Sequence, residues 1–118
     1  MARSTGQPPA SQAKAELFRV LGHPVRVSIL ELLADGERTV GDLQQALGLE
    51  ASSTSQHLGA LRNRDVLTAR RDGKNVYYRI NDAHTTELLE LARKIISSSI
   101  EDSQSLLAQL REPETPAA

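Results

Sequence analysis

The sequence contains no cysteine, which excludes disulfides, zinc knuckles, iron–sulfur clusters and any thiol nucleophile or thiol sensor. Aromatic residues are scarce. Phe18, Tyr77 and Tyr78 are the full set, so a core has to be built from Leu, Ile, Val and Ala. Apolar runs are short: none approaches the ~18–20 residues a membrane helix requires, and no signal-peptide pattern opens the chain. A cytoplasmic protein without membrane contact is expected. No Gly-rich phosphate loop and no paired-acid constellation is present, so nothing supports an enzyme. What remains is 118 residues, 39% hydrophobic and 25% charged, the size and balance of about one globular domain.

A formal net charge of −1 conceals a segregation. Between Ser52 and Ile80 stand six basic residues (Arg62, Arg64, Arg70, Arg71, Lys74, Arg79) and two acidic ones (Asp65, Asp72). That segment is therefore +4, and the remainder is −5. A basic middle between acidic ends is the pattern of a local electrostatic footprint for a polyanion, although a solvated charged face has the same composition.

Residues 1–12 are small and polar with no apolar period and read as a disordered arm; residues 112–118 read as a flexible tail. The segment between them, 13–111, reads as one domain. A helical pattern opens at Ala13 with Leu17, Phe18 and Leu21. Pro24 suits the first turn of a second helix carrying Val25, Ile29, Leu32 and Leu33, which stops at Asp35-Gly36. Thr39 is positioned to cap a short third helix that Gly48 closes. A fourth helix, near 51–64, opens on Ser52, Ser53, Thr54 and Ser55, hydroxyls that suit caps and exposed first turns. Two strand-like runs, 66–71 and 75–80, then flank Asp72-Gly73-Lys74, a hairpin signal. After Asn81 or Asp82, either of which suits a cap, a long helix runs to about Leu110. At roughly 40 Å it outruns so small a core, and its surplus apolar face calls for a second copy of the chain.

The expected architecture is mainly α with a small β-hairpin, in the order α-α-α-α-β-β-α: a winged helix-turn-helix. In such a unit the second helix of the pair enters the DNA major groove and the hairpin lies beside it. Gln56 can pair bidentately with adenine, and Arg70, Arg71 and Lys74 can neutralise phosphates.

Three motifs in chain order carry a family resemblance. Leu21-Gly22-His23-Pro24-Val25-Arg26 runs into Ile29-Leu30-Glu31-Leu32-Leu33. Ser55-Gln56-His57-Leu58-Gly59-Ala60-Leu61-Arg62 follows, and then Val66-Leu67 with Arg70-Arg71-Asp72-Gly73-Lys74 and Val76-Tyr77-Tyr78. Together, over about residues 13–110, they resemble the ArsR/SmtB family of bacterial repressors. The resemblance implies a homodimer joined through the first and last helices, with Leu17, Phe18, Leu88, Leu91, Ile95 and Ile96 as contact candidates. It implies binding to an imperfect palindrome in promoter DNA, with repression until an inducer arrives. The recognition-helix candidates are Ser52, Ser53, Ser55, Gln56 and His57, and the wing candidates Arg70, Arg71 and Lys74. Ser52 or Ser53 equally suits a helix cap, and His57 a partly packed scaffold position.

Many members of that family sense metals. Their thiolate site cannot exist here. Asp82-Ala83-His84 matches the first half of a second family site, but Ile95 and Ser98 stand where the resemblance expects His and Glu. Asp82 and His84 are thus the metal candidates, for nickel, zinc or cobalt, and need further ligands such as Glu87, Glu90 or a symmetry-related His84. Two other readings stay open: a winged helix that binds protein instead of DNA, and a DNA-binding subunit whose sensing comes from a partner protein.

Overall fold

A computed structural model describes residues 9–111 of the chain. In order along the chain come α1 (Pro9–Leu21), α2 (Pro24–Leu33), β1 (Arg38–Thr39), α3 (Val40–Leu47), α4 (Ala51–Asn63), β2 (Leu67–Asp72), β3 (Asn75–Ile80) and α5 (His84–Arg111). The chain divides after Thr86 into two compact units, the second consisting of α5 from Glu87 onward.

In the first unit, apolar residues at helical spacing converge on one core. Ile29 and Leu30 of α2, Leu43 of α3, Leu58 and Leu61 of α4 and Leu67 of β2 are fully or almost fully buried, with Val20, Leu21, Leu33 and Val66 closing its edges. Each such side chain contributes about 1.5–3 kcal/mol on leaving water. Local chemistry sets the ends of the helices. Pro24 occupies the first turn of α2, and His23 caps it, its Nδ1 accepting the Val25 N–H at 3.1 Å. Thr39 and Asp42 form a reciprocal capping box at α3: Asp42 N–H donates to Thr39 Oγ1, and Thr39 N–H to Asp42 Oδ2. Gly48 ends α3 in the left-handed region at φ 65°. The turn to α4 is then only Gly48–Glu50, so α3 and α4 pack as a tight bihelical pair.

The α4 terminus shows a less obvious device. Asp65 adopts φ 62°, and the Asp65 and Val66 N–H groups donate to the carbonyls of Arg62 and Leu61. That is a Schellman arrangement with aspartate where glycine is usual, and it turns the chain sharply into β2. Asn81 fastens the other end of the hairpin: its N–H donates to Val66 O at 3.0 Å and its amide to Asp65 O at 3.1 Å.

The structure departs from expectation at three places. α1 begins at Pro9, so residues 9–12 are helical; proline is accepted in the first turn, and the polar, exposed Ser11 and Gln12 give no apolar marker to reveal the helix. Residues 1–8 and the expected tail at 112–118 lie outside the described residues. The sheet has three strands in the order β1-β3-β2, because Arg38 and Thr39 pair with Tyr78 and Tyr77. The hairpin loop is Gly73-Lys74, with Asp72 still paired to Asn75, so the positive φ falls on the first loop residue, Gly73. At the last helix the expected cap is in place: α5 begins at His84, and Asp82, just outside it, accepts the His84 N–H at Oδ1 at 2.9 Å.

Candidate nucleic-acid interface

One face of α4 faces the core through Thr54, Leu58 and Leu61, all fully buried. Thr54, the third of the four consecutive hydroxyl residues, is drawn inward, with Oγ1 donating back to Glu50 O at 2.9 Å. The opposite face presents Ser52, Ser55 and Gln56 to solvent, while Ser53 is half-buried. The N-cap is Glu50, without a side-chain capping bond, so neither Ser52 nor Ser53 serves as the cap. Both hydroxyls therefore stay uncommitted to the helix end.

His57 is turned aside. Its Nδ1 accepts from Arg26 Nε at 3.1 Å, and its ring lies 4.3 Å from that of His23 at a tilt of 51°. Arg26 also donates to Val20 O, so one guanidinium ties the α1 terminus, α2 and α4 together. Burial, with the His23 and Arg26 charges adding to it, holds the His57 imidazole below its ordinary pKa. A neutral ring accepting at Nδ1 is a packing and hydrogen-bonding element of the scaffold. Nothing local in the sequence joins residues 26 and 57.

On the hairpin, Arg70, Arg71 and Lys74 are all exposed, but they differ in engagement. Arg70 lies 4.4 Å over the Tyr77 ring, and its Nε and Nη2 donate to the Glu37 carboxylate. The Arg70 hydrogen bonds hold the Glu37 carboxyl below the usual carboxylate range. Arg71 and Lys74 make no ion pair among the described residues. Glu37, just before β1, escaped the sequence reading because its partner lies 33 residues on.

Leu17 and Phe18 of α1 are exposed, Phe18 at 57%. On α5, Leu91, Ile95 and Ile96 are exposed, Ile95 at 70%, and Leu88 is half-buried. Asp82 Oδ1 meets His84 Nδ1 at 2.7 Å while also accepting the His84 N–H, and these bonds hold the Asp82 carboxyl below its ordinary range. No group of three or more metal-ligating side chains forms among the described residues. Two donors occupied with each other do not fit a closed site for nickel, zinc or cobalt. None of the helices, among the described residues, is long and apolar enough to cross a membrane.

Known proteins share this arrangement. The chain is 44% identical over 104 residues to Rv0081, an uncharacterized helix-turn-helix-type transcriptional regulator of Mycobacterium tuberculosis, covering 87% of this chain and 91% of that one. The crystal structure of Rv0081 superposes with a TM-score of 0.76, over 82% of this chain and 98% of that one. A homodimeric winged helix-turn-helix DNA-binding domain from Mycobacterium bovis, a possible ArsR-family regulator, matches at 30% identity and TM-score 0.72, over 84% and 95% of the two chains. A probable mercury resistance operon repressor of Streptomyces lividans is 35% identical over 79 residues, 67% of this chain and 63% of that one. Residues 23–68, from the cap of α2 into β2, match the pattern of the bacterial regulatory protein family arsR. With the fold, the bihelical pair and the wing in place, the chain belongs to the arsR family of bacterial transcriptional regulators.

Proposed function

We propose that the chain represses transcription as a homodimer, seating α4 of each protomer in successive major grooves of a palindromic promoter site. The observation that carries this reading is the α4 surface: Ser52, Ser55 and Gln56 point outward from a helix whose opposite face is locked into the core. Small hydroxyls let the helix approach base edges, and Gln56 supplies the bidentate donor–acceptor pair that matches adenine. Ser53, half-buried, sits at the margin of that surface. Arg71 and Lys74 supply phosphate contacts; Arg70 joins them only if its Glu37 pair opens. Two-fold symmetry through α1 and α5, by way of the exposed Leu17, Phe18, Leu91, Ile95 and Ile96 and the half-buried Leu88, places the half-sites about one helical turn of DNA, ~34–36 Å, apart.

Repression by this route needs no metal, and the Asp82–His84 pair acts as a cap at the start of α5. The inducing signal then comes from another ligand or from a partner protein.

The test is fluorescence anisotropy on a duplex selected from a randomised pool by the wild-type chain. Gln56→Ala is expected to lose about 1–3 kcal/mol of discrimination at one base pair per half-site. Adding nickel, zinc or cobalt in turn is expected to leave affinity unchanged. Unaltered discrimination in Gln56→Ala removes the base-reading assignment, and a metal response abolished by His84→Ala restores the metal site.

A further inference from the structure

Gly59 is a glycine that the fold itself does not require. Gly36, Gly48 and Gly73 have positive φ, and a Cβ on Gly22 would come within 3.0 Å of the Phe18 carbonyl oxygen. Gly41, also without a positive φ or a close neighbour, lies in the first turn of α3; Gly59 lies in the interior of α4, and a Cβ added there would meet nothing within 4 Å. Glycine in a helix interior is a standing cost in backbone entropy that alanine relieves. Its position completes the argument. At 100° per residue, Gly59, half-buried, falls angularly between the exposed Ser52 and Ser55, one turn beyond Gln56 and away from the buried Thr54, Leu58 and Leu61.

We infer that Gly59 is the point at which the α4 backbone comes closest to DNA, and that its missing side chain sets how deeply the helix seats. The inference rests on the reading of α4 as the DNA-contacting helix and extends it to a residue whose role is absence of bulk. A methyl at 59 lifts the helix off the groove floor and draws Gln56 and the serines back from the base edges, while contacts made by the wing persist.

The test compares Gly59→Ala and Gly59→Leu with the wild type in the full-length chain, by thermal melting and by anisotropy on selected and scrambled duplexes. Gly59→Ala is expected to melt about 2–6 °C higher. It is also expected to bind the selected duplex at least ~10-fold more weakly, the loss of a bidentate base contact being enough for a change of that order. Gly59→Leu, also a good helix former, is expected to lose more, and both are expected to bind the scrambled duplex as the wild type does. Variants that bind the selected duplex like the wild type overturn the inference, as does a Gly59→Ala protein that melts lower. Failure of the wild type itself to prefer the selected duplex overturns the α4 reading instead, which keeps the two failures apart.

Discussion

His57 shows how a polar residue on the proposed DNA-contacting helix can serve the scaffold. It accepts from Arg26 at Nδ1 and lies against the His23 ring, and the sum of burial and nearby positive charge disfavours its protonated form. The sign of the resulting pH dependence follows. An imidazole whose folded pKa lies below the unfolded value, near 6.5, contributes stability that is fully present above that pH and is lost as pH falls through the folded value. Protonation at Nδ1 also removes the acceptor Arg26 uses. The wild-type melting temperature is therefore expected to fall more between pH 7.5 and 5.5 than that of His57→Gln; equal falls would show that His57 contributes no pH-dependent stability. Gln56, one residue earlier, is exposed, which leaves it free for the base-reading role proposed above. The helical period alone separates the two roles.

Among the elements, the wing engages one of its cations, Arg70, in the fold and leaves Arg71 and Lys74 without ion pairs among the described residues. Arg70 bridges β2 to Glu37 and covers Tyr77 across the β2–β3 pair, bracing the hairpin against the turn before β1. Lys74, in the two-residue loop, has no such duty. Since each neutralised phosphate adds about 0.9 to the slope of log affinity against log salt, Lys74→Ala is expected to reduce that slope by roughly two per dimer. Arg70→Ala is expected to leave the slope unchanged and to lower the melting temperature; a slope reduced as much as in Lys74→Ala would place Arg70 on a phosphate. These elements also mark where sequence reading stops. The helices of the first unit were legible from the period of Ile29, Leu33, Leu43, Leu58 and Leu61, with Pro24, Thr39 and Gly48 as punctuation. β1 was not, since two residues carry no alternation and Arg38-Thr39 is a strand only because Tyr77 and Tyr78 are there to pair with it. Of the five α4 candidates, Ser52, Ser55 and Gln56 are exposed while Ser53 and His57 are half-buried, and the Glu37–Arg70 and Arg26–His57 contacts depend on approaches between residues 33 and 31 positions apart. Thr54 went inward because its hydroxyl is satisfied by its own helix, a bond no composition reveals.

For the molecule as a whole, a formal charge of −1 is compatible with DNA binding because the positive charge is concentrated between Ser52 and Ile80 and the negative charge lies elsewhere. The proposed dimer would double that footprint, and both α1 and α5 carry exposed apolar residues available for burial. The salt dependence of DNA affinity tests this account most directly. With Arg71 and Lys74 of two protomers on phosphates, anisotropy of the full-length chain on its selected duplex is expected to give log affinity falling with log salt at a slope of about −3 to −4. A scrambled duplex is expected to show much lower affinity at every salt concentration. A slope near zero, or equal affinity for both duplexes, would contradict the assignment of α4 and the wing to sequence-specific DNA binding.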